Sequence, residues 1–584
     1  MTMGAGLIGR SVCRFGEYEL DRTALELRKS GRKIKLAPQP ARVLALLASR
    51  PGDLVSRDDI RREVWGHQTF VDFDRNLNYC INCIRSVLGD HARAPRYIET
   101  LARRGYRFIG DTAQELVPAE QSLAVLPFEN LNSDPEQEFL AGSMTDALIT
   151  QLGKAPSLRV ISRQSVLHLK NSRSTVAEIA RRLRVGTLVE GSVLRVGDRL
   201  RVTAQLIKAN PERHLWAESY ERHLDDLLEL QTQIALDIAA QIHVIIAPIR
   251  KETSPCVRVK PEAHVAYLKG EHHTQTQTAQ GLRKALEYYR QAIAIDPTYA
   301  APYAGIAWTY CLLGWWGHLP DSEAYPAARE AALKALSLDQ GLSRAHRALH
   351  WVRWVYDWDL AETEKEGRRA LELNPSDSEF RIQHALFLSV VCRRAAQALA
   401  EARVALDLDP LSRSINTMAG WVPLFLGRFD LAMQQARQTL ELFPDSLHAW
   451  YQLGQCELAR NRYSEALAFF QHAAAISQDP ITISYVAHAQ ARAGNRAEAQ
   501  RVLDLLLAKA QDNYVIPRSL FWVYLGLGDF DRAIRLLEQR FEYRDGFLWW
   551  LRSHPAFDPL RSDPRFSALV HRMGFPADEA GAQG

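Results

Sequence analysis

Residues 70–110 read FVDFDRNLNYCINCIRSVLGDHARAPRYIETLARRGYRFIG. Leu77, Ile81, Ile84 and Leu88 recur at intervals of 4, 3 and 4, which in a helix places them on one stripe. Arg75, Asn78, Asn82 and Arg85 fall on the opposite side. The spacing predicts a helix over 74–88 with one apolar and one polar face. Beyond it, Tyr97-Ile98-Glu99-Thr100 and Tyr106-Arg107-Phe108 are short strand-like runs around a basic turn. Arg103 and Arg104 stand in that turn before Gly105, where the backbone can take a positive φ at little cost.

An amphipathic helix followed by a basic hairpin is how a winged helix grips DNA, one part in the major groove and the other along the phosphates. Asparagine can pair bidentately with adenine and arginine with guanine. Arg75, Asn78, Asn82 and Arg85 are therefore the candidate base readers. Arg103 and Arg104 are candidates for phosphate or the minor groove. Charge agrees: residues 1–110 carry 20 Lys+Arg against 12 Asp+Glu, a net +8, while the other 474 carry 52 against 56. A basic head on a mildly acidic body points to a nucleic-acid module joined to something else.

Residues 13–36 read as short strands, 40–49 as a helix, and Ser56-x-x-Asp59 as the start of another helix through Trp65. Lys29, Arg32, Lys33 and Lys35 read as solvated sheet residues, and Trp65 as core. Seven scattered cysteines, an odd number, favour a reducing compartment. Cys80 and Cys83 form a C-x-x-C, but no second pair completes a zinc tetrad. The N-terminus lacks a signal-peptide core, and residues 238–249 are too short to span a bilayer.

Residues 113–121 read as a linker. An α/β unit is expected over 122–247: a strand at LAVLPF, helices over 138–152 and from Thr175-x-x-Glu178, three strands over 187–220, then a helix from about 227. From 261 to 584 the chain repeats. A small residue recurs at Ala285, Ala328, Thr363, Ala398, Ala432, Ala466, Ala499 and Ala533, at spacings of 43, 35, 35, 34, 34, 33 and 34. Pro297, Pro375, Pro410 and Pro444 each fall twelve residues after such a position. A period near 34 with a terminal proline is the tetratricopeptide pattern, in which helix pairs bury faces that none could bury alone. Eleven of the 13 tryptophans lie beyond residue 300. Most read as packing, with Trp315-Trp316, in the overlong unit, as the exception.

LNYCINCIRSVLG (77–89) and PRYIETLARRGYRF (95–108) resemble the winged-helix domain of OmpR/PhoB-type regulators. LAVLPFENL and VEGSVLRVGDRLRVTAQLI resemble a TolB-like domain, and 261–584 resembles tetratricopeptide repeats. The resemblance implies that loop 66–73 can touch RNA polymerase. Relatives of the CadC/ToxR kind carry a membrane helix after the winged domain, and none is visible here. The recognition helix also departs from the family, with Cys83, Ser86 and Val87 where Arg and Lys are frequent.

The expected architecture is a multidomain chain. An α+β winged helix-turn-helix over 1–112 precedes the α/β domain and an all-α tetratricopeptide superhelix. The expected function is a cytoplasmic DNA-binding transcription regulator whose repeats receive a protein or peptide signal, with a dimer on DNA left open. The rival is a scaffold that uses the winged helix as a protein contact. No catalytic, cofactor or metal residues are assigned. The nucleotide-binding, hydrolase, zinc-protease and kinase motifs are absent.

Overall fold

The computed structural model describes residues 12–15, 18–21, 25–29, 32–49, 54–65, 73–91, 95–101, 105–109, 112–114, 122–132, 137–155, 158–167, 169, 174–242, 259–276, 278–316, 318–512 and 517–575. The chain forms two units, Met1–Pro118 and Ala119–Gly584.

The first unit opens with β1 (Val12–Phe15), β2 (Tyr18–Asp21), β3 (Glu26–Lys29) and β4 (Arg32–Ile34). These pair antiparallel in sequence order. Then come α1 (Pro38–Ser49), β5 (Leu54–Ser56) and α2 (Arg57–Ile60), which continues as a π-helical turn, Arg61–Trp65. Next are α3 (Phe73–Leu88) and the hairpin β6 (Ile98–Leu101) and β7 (Gly105–Phe108), with β5 completing a three-stranded sheet in the order β5-β7-β6. The strand β8 (Thr112–Gln114) overlaps the stretch read as linker: it pairs with β1 as a fifth strand of the first sheet. Its residues are Thr, Ala and Gln, so the strand carries little hydrophobic signature and the pairing is one of backbone hydrogen bonds.

The core of this unit joins Phe15, Leu20 and Leu27 of the sheet, Val43, Leu44 and Leu47 of α1, and Ile98 and Phe108 of the hairpin. Leu77, Ile81, Ile84 and Leu88 of α3 enter it as their spacing predicts. Each such side chain contributes about 1.5–3 kcal/mol on burial. That is what fixes the rotation of α3 about its axis.

The second unit begins with β9 (Ser122–Val125), β10 (Glu129–Asn130), α4 (Glu138–Leu152), β11 (Arg159–Val160), α5 (Arg163–Leu167) and α6 (Val176–Leu183). Three long strands follow, β12 (Thr187–Val196), β13 (Arg199–Ala209) and β14 (Glu212–His223), and then α7 (Leu227–Gln241). The sheet runs β11-β9-β12-β13-β14, parallel on its β11/β9/β12 side and antiparallel beyond, with β10 added to β12. Thr175 and Glu178 form the expected reciprocal cap of α6. Gly191 is needed because a Cβ there would come within 2.2 Å of the Phe128 ring.

The repeats follow as eight helix pairs among the described residues, from Pro261–Thr274 with Ala279–Ile295 to Pro517–Leu527 with Phe530–Glu542. All eight recurring small positions lie in the second helix of a pair and are completely buried. A larger residue there would push neighbouring helices apart. Pro297, Pro375, Pro410 and Pro444 each directly follow a helix C-cap, where the missing N–H cannot interrupt a helix.

Contacts within this unit tie the α/β domain to the turns between repeats. Arg159 donates to the Asp407 carbonyl at 2.8 Å, and the Ser376 hydroxyl donates to the Gly153 carbonyl at 2.8 Å. Ser165 donates to the Asp409 carboxylate and accepts the Leu411 N–H at 2.9 Å.

Candidate nucleic-acid interface

With its apolar stripe in the core, α3 turns Arg75, Asn78, Tyr79, Asn82 and Ser86 to the surface. Three of the four expected base readers are therefore together on one exposed face. Tyr79 is an addition: it is 63 % exposed. Counting only polar residues missed it, although its position between Arg75 and Asn82 was a usable signal.

Arg85 is the correction. It is only 9 % exposed and donates to the Ile98 carbonyl and the Thr100 hydroxyl, both at 2.8 Å. It lies on the flank of the helix, and β6 covers that flank. Its guanidinium braces α3 against the hairpin and is not presented for base contact.

The same corner is fixed by Asp90. Its carboxylate accepts the backbone N–H groups of Arg96 at 2.7 Å and Ile98 at 2.8 Å, and that of His91 at 3.0 Å. Gly89, at φ +61°, ends α3 in the left-handed region. Asp90 thus ties the end of α3 to the first hairpin strand by hydrogen bonds. Gly105 lies at φ +153°, and a Cβ there would fall 2.1 Å from the Val55 carbonyl oxygen. Glycine is required because β5 approaches β7 closely, in addition to the turn conformation expected.

Arg57, at the start of α2, joins Asp74 and Asn78 of α3 to Tyr106 of β7. It donates to the Asn78 carboxamide oxygen and to the Tyr106 hydroxyl, each at 3.1 Å. Tyr106 in turn donates to the same Asn78 oxygen at 3.0 Å. Burial pushes the Tyr106 phenol above its ordinary value, so it remains a donor. Nothing in the sequence linked these four positions, because they come from three separate elements.

Arg103 and Arg104 lie outside the described residues, as do 66–72 of the loop read as a polymerase contact. At the edges of that loop, Trp65 meets Phe73 edge-on at 5.3 Å. Trp65, expected in the core, is half-buried. Cys80 is buried with its thiol pushed up to about 11, chiefly by desolvation, which disfavours the thiolate that a metal would need. No group of metal-ligating residues is found among the described residues. On the first sheet, Lys33 and Arg28 pair with Glu26 and hold its carboxyl below the usual range, as fits solvated sheet residues.

Three stretches match known families. Residues 31–108 match "Transcriptional regulatory protein, C terminal", 119–236 match "HilA/YgeH-like transcriptional regulator, second domain", and 417–480 match "Tetratricopeptide repeat". The middle match names the HilA/YgeH second domain where the sequence suggested a TolB-like one.

Among relatives, the chain is 31 % identical over 319 residues to "Putative adenylate cyclase 3" of Rhizobium meliloti, covering 54 % of this chain and 53 % of that protein. It is 26 % identical over 428 residues to "Transcriptional regulator HilA" of Salmonella typhimurium, covering 72 % and 68 %. It is 30 % identical over 156 residues to "Cholera toxin transcriptional activator" of Vibrio cholerae, covering 26 % and 51 %. The chain thus spans about half the length of the first and third of these relatives and about two thirds of the second. It is homologous to HilA- and ToxR-like regulators, with an OmpR/PhoB-type transcriptional-regulatory domain in its N-terminal region and tetratricopeptide repeats in its C-terminal region.

Proposed function

We propose that this protein is a DNA-binding transcription regulator that inserts α3 into the major groove. The observation that carries the reading is the exposed stripe Arg75, Asn78, Asn82 on a helix whose other faces are locked by core, hairpin and Arg85. Arg103 and Arg104 are assigned to phosphates or the minor groove, loop 66–73 to RNA polymerase, and a dimer to paired half-sites. The proposed domains are 1–112, extended through Gln114 by β8, then 122–247 and 261–584. No helix among the described residues is long and apolar enough to cross a membrane, and the reading places the protein in the cytoplasm.

The test is duplex binding by the full chain, followed by selection of bound genomic fragments. Affinity should fall steeply with salt, because each neutralised phosphate releases a counterion. A folded chain that binds no duplex at low salt defeats the reading. No enzymatic step is assigned. One relative's name includes adenylate cyclase, so incubation with ATP and assay for cyclic AMP separates the two classes.

The repeats are assigned to a protein or peptide partner. Their C-terminal stretch packs on its own chain. Trp550 lies against Trp421 and Phe425 at 5.6 and 5.3 Å, Trp549 against Trp358 at 5.8 Å, and Arg552 donates to the Val391 carbonyl. Trp315 and Trp316 remain 50 % and 52 % exposed beside Trp308, Trp351 and Arg347. That aromatic surface is the assigned contact. A partner regulates only if it favours one state of the protein over another. Deleting 261–584 should therefore change reporter output.

A further inference from the structure

Resting on the regulator reading, we propose that Asn78 selects a base edge made of acceptors, guanine first, because its carboxamide oxygen is held inward by Arg57 and Tyr106. Free asparagine is the usual partner of adenine: its oxygen accepts from N6 while its nitrogen donates to N7. Here the oxygen is already used. It takes hydrogen bonds from the Arg57 guanidinium at 3.1 Å and the Tyr106 hydroxyl at 3.0 Å.

The orientation of the amide follows from the partners. A guanidinium has donors only, so the atom facing it must be the oxygen. Tyr106 accepts from Arg57 and therefore directs its own proton to the same oxygen. Asp74 pairs with Arg57 from the previous turn of α3 and holds the guanidinium in place. Both oxygen lone pairs are occupied, and Asn78 is exposed, so its two amide N–H groups are what the helix offers outward.

Two donors match guanine, which presents O6 and N7 side by side in the major groove. Adenine offers N7 but sets its N6 amino group against the amide. Cytosine presents an amino donor and is rejected. The specificity of this position is thus decided by a residue of α2 and one of β7, neither of which needs to touch a base.

Binding-site selection with the full chain and a randomised duplex library tests this. The wild type should enrich guanine at one position by roughly tenfold over adenine. Asn78→Asp keeps the inward oxygen and its two donors but presents an acceptor outward. Guanine at that position should give way to cytosine, while the other positions of the site stay as they were. Tyr106→Phe releases one lone pair, and the guanine-over-adenine ratio should fall by about threefold or more. It also serves if the aspartate variant does not fold.

The same selected site from wild type and Asn78→Asp overturns the proposal and leaves the regulator reading standing. So does an adenine at the position that Asn78→Asp changes. If the wild type enriches no sequence at all, the regulator reading falls and this proposal falls with it.

Discussion

The outer face of α3 and the aromatic stretches of the repeats treat their chemistry-bearing side chains in opposite ways. On α3, Arg75, Asn78, Tyr79 and Asn82 are left outside the core. In the repeats, Trp308, Trp351, Trp354, Trp421, Trp522 and Trp549 are buried, and His350, His488 and His554 with them. Burial holds those histidines neutral, well below the usual imidazole range. A residue type that suggests ligand binding is therefore informative only after the core has taken its share. On α3 the core takes the aliphatic stripe and, by way of β6, Arg85, and leaves Arg75, Asn78, Tyr79 and Asn82. In the repeats it takes most tryptophans and leaves Trp315 and Trp316 half-exposed.

Arg85→Ala tests the inside of the head. If Arg85 is a brace, its loss leaves the Ile98 carbonyl without its charged donor and destabilises the first unit by about 2–4 kcal/mol. Thermal unfolding should show an earlier transition, with binding to all sequences weakened alike. A stable variant with altered base preference would return Arg85 to the reading face.

Asp409 tests the inside of the other unit. Burial raises its carboxyl to about 6, against an ordinary value near 3.8. A raised acid pKa means that stability is full at low pH and is lost as pH rises from about 4 through 6. Above that window the cost of ionising it is of the order of 3 kcal/mol. Asp409→Asn should raise the melting temperature at pH 7.5, with the gain shrinking toward pH 4. A gain independent of pH would show that the carboxylate does not titrate in the fold.

The Asn82 side chain is exposed on the outer face of α3. Asn82→Ala should leave stability unchanged and cost about 1–3 kcal/mol of discrimination at one base pair, read by competition between matched and mismatched duplexes. Trp315→Ala with Trp316→Ala should cost little stability, since both rings are half-exposed. A shift within about 1 kcal/mol is expected, together with lost reporter response. A large loss of stability would move these two tryptophans to the packing class and erase the exception.

Much of the fold was legible because periodicity survives in any context. Leu77, Ile81, Ile84 and Leu88 had to share a face. The small residue every 34 or so positions had to sit where helices meet, and Thr175 with Glu178 had to cap a helix. The polar side of α3 was legible in the same way, as whatever the apolar stripe excludes. The pairing of β8, the burial of Arg85 and the bonds to the Asn78 oxygen were not. β8 is held by backbone pairing with a strand some hundred residues away, and backbone hydrogen bonds leave no mark on composition.

Arg85 and Asn78 mark the boundary between the two kinds of information. Arg85 occupies a helix flank, where periodicity alone does not decide between solvent and a neighbour, and Asn78 is exposed yet bonded through its oxygen to residues of two other elements. Sequence by itself determined the helix, its buried stripe, the basic hairpin and the repeat period, because those depend on intervals of a few residues. Only the tertiary structure decided that β6 covers Arg85 and that Arg57 and Tyr106 claim the oxygen of Asn78. The reason is physical: hydrogen bonds act over about 3 Å, and the partners that meet at that distance come from α2, α3 and the hairpin.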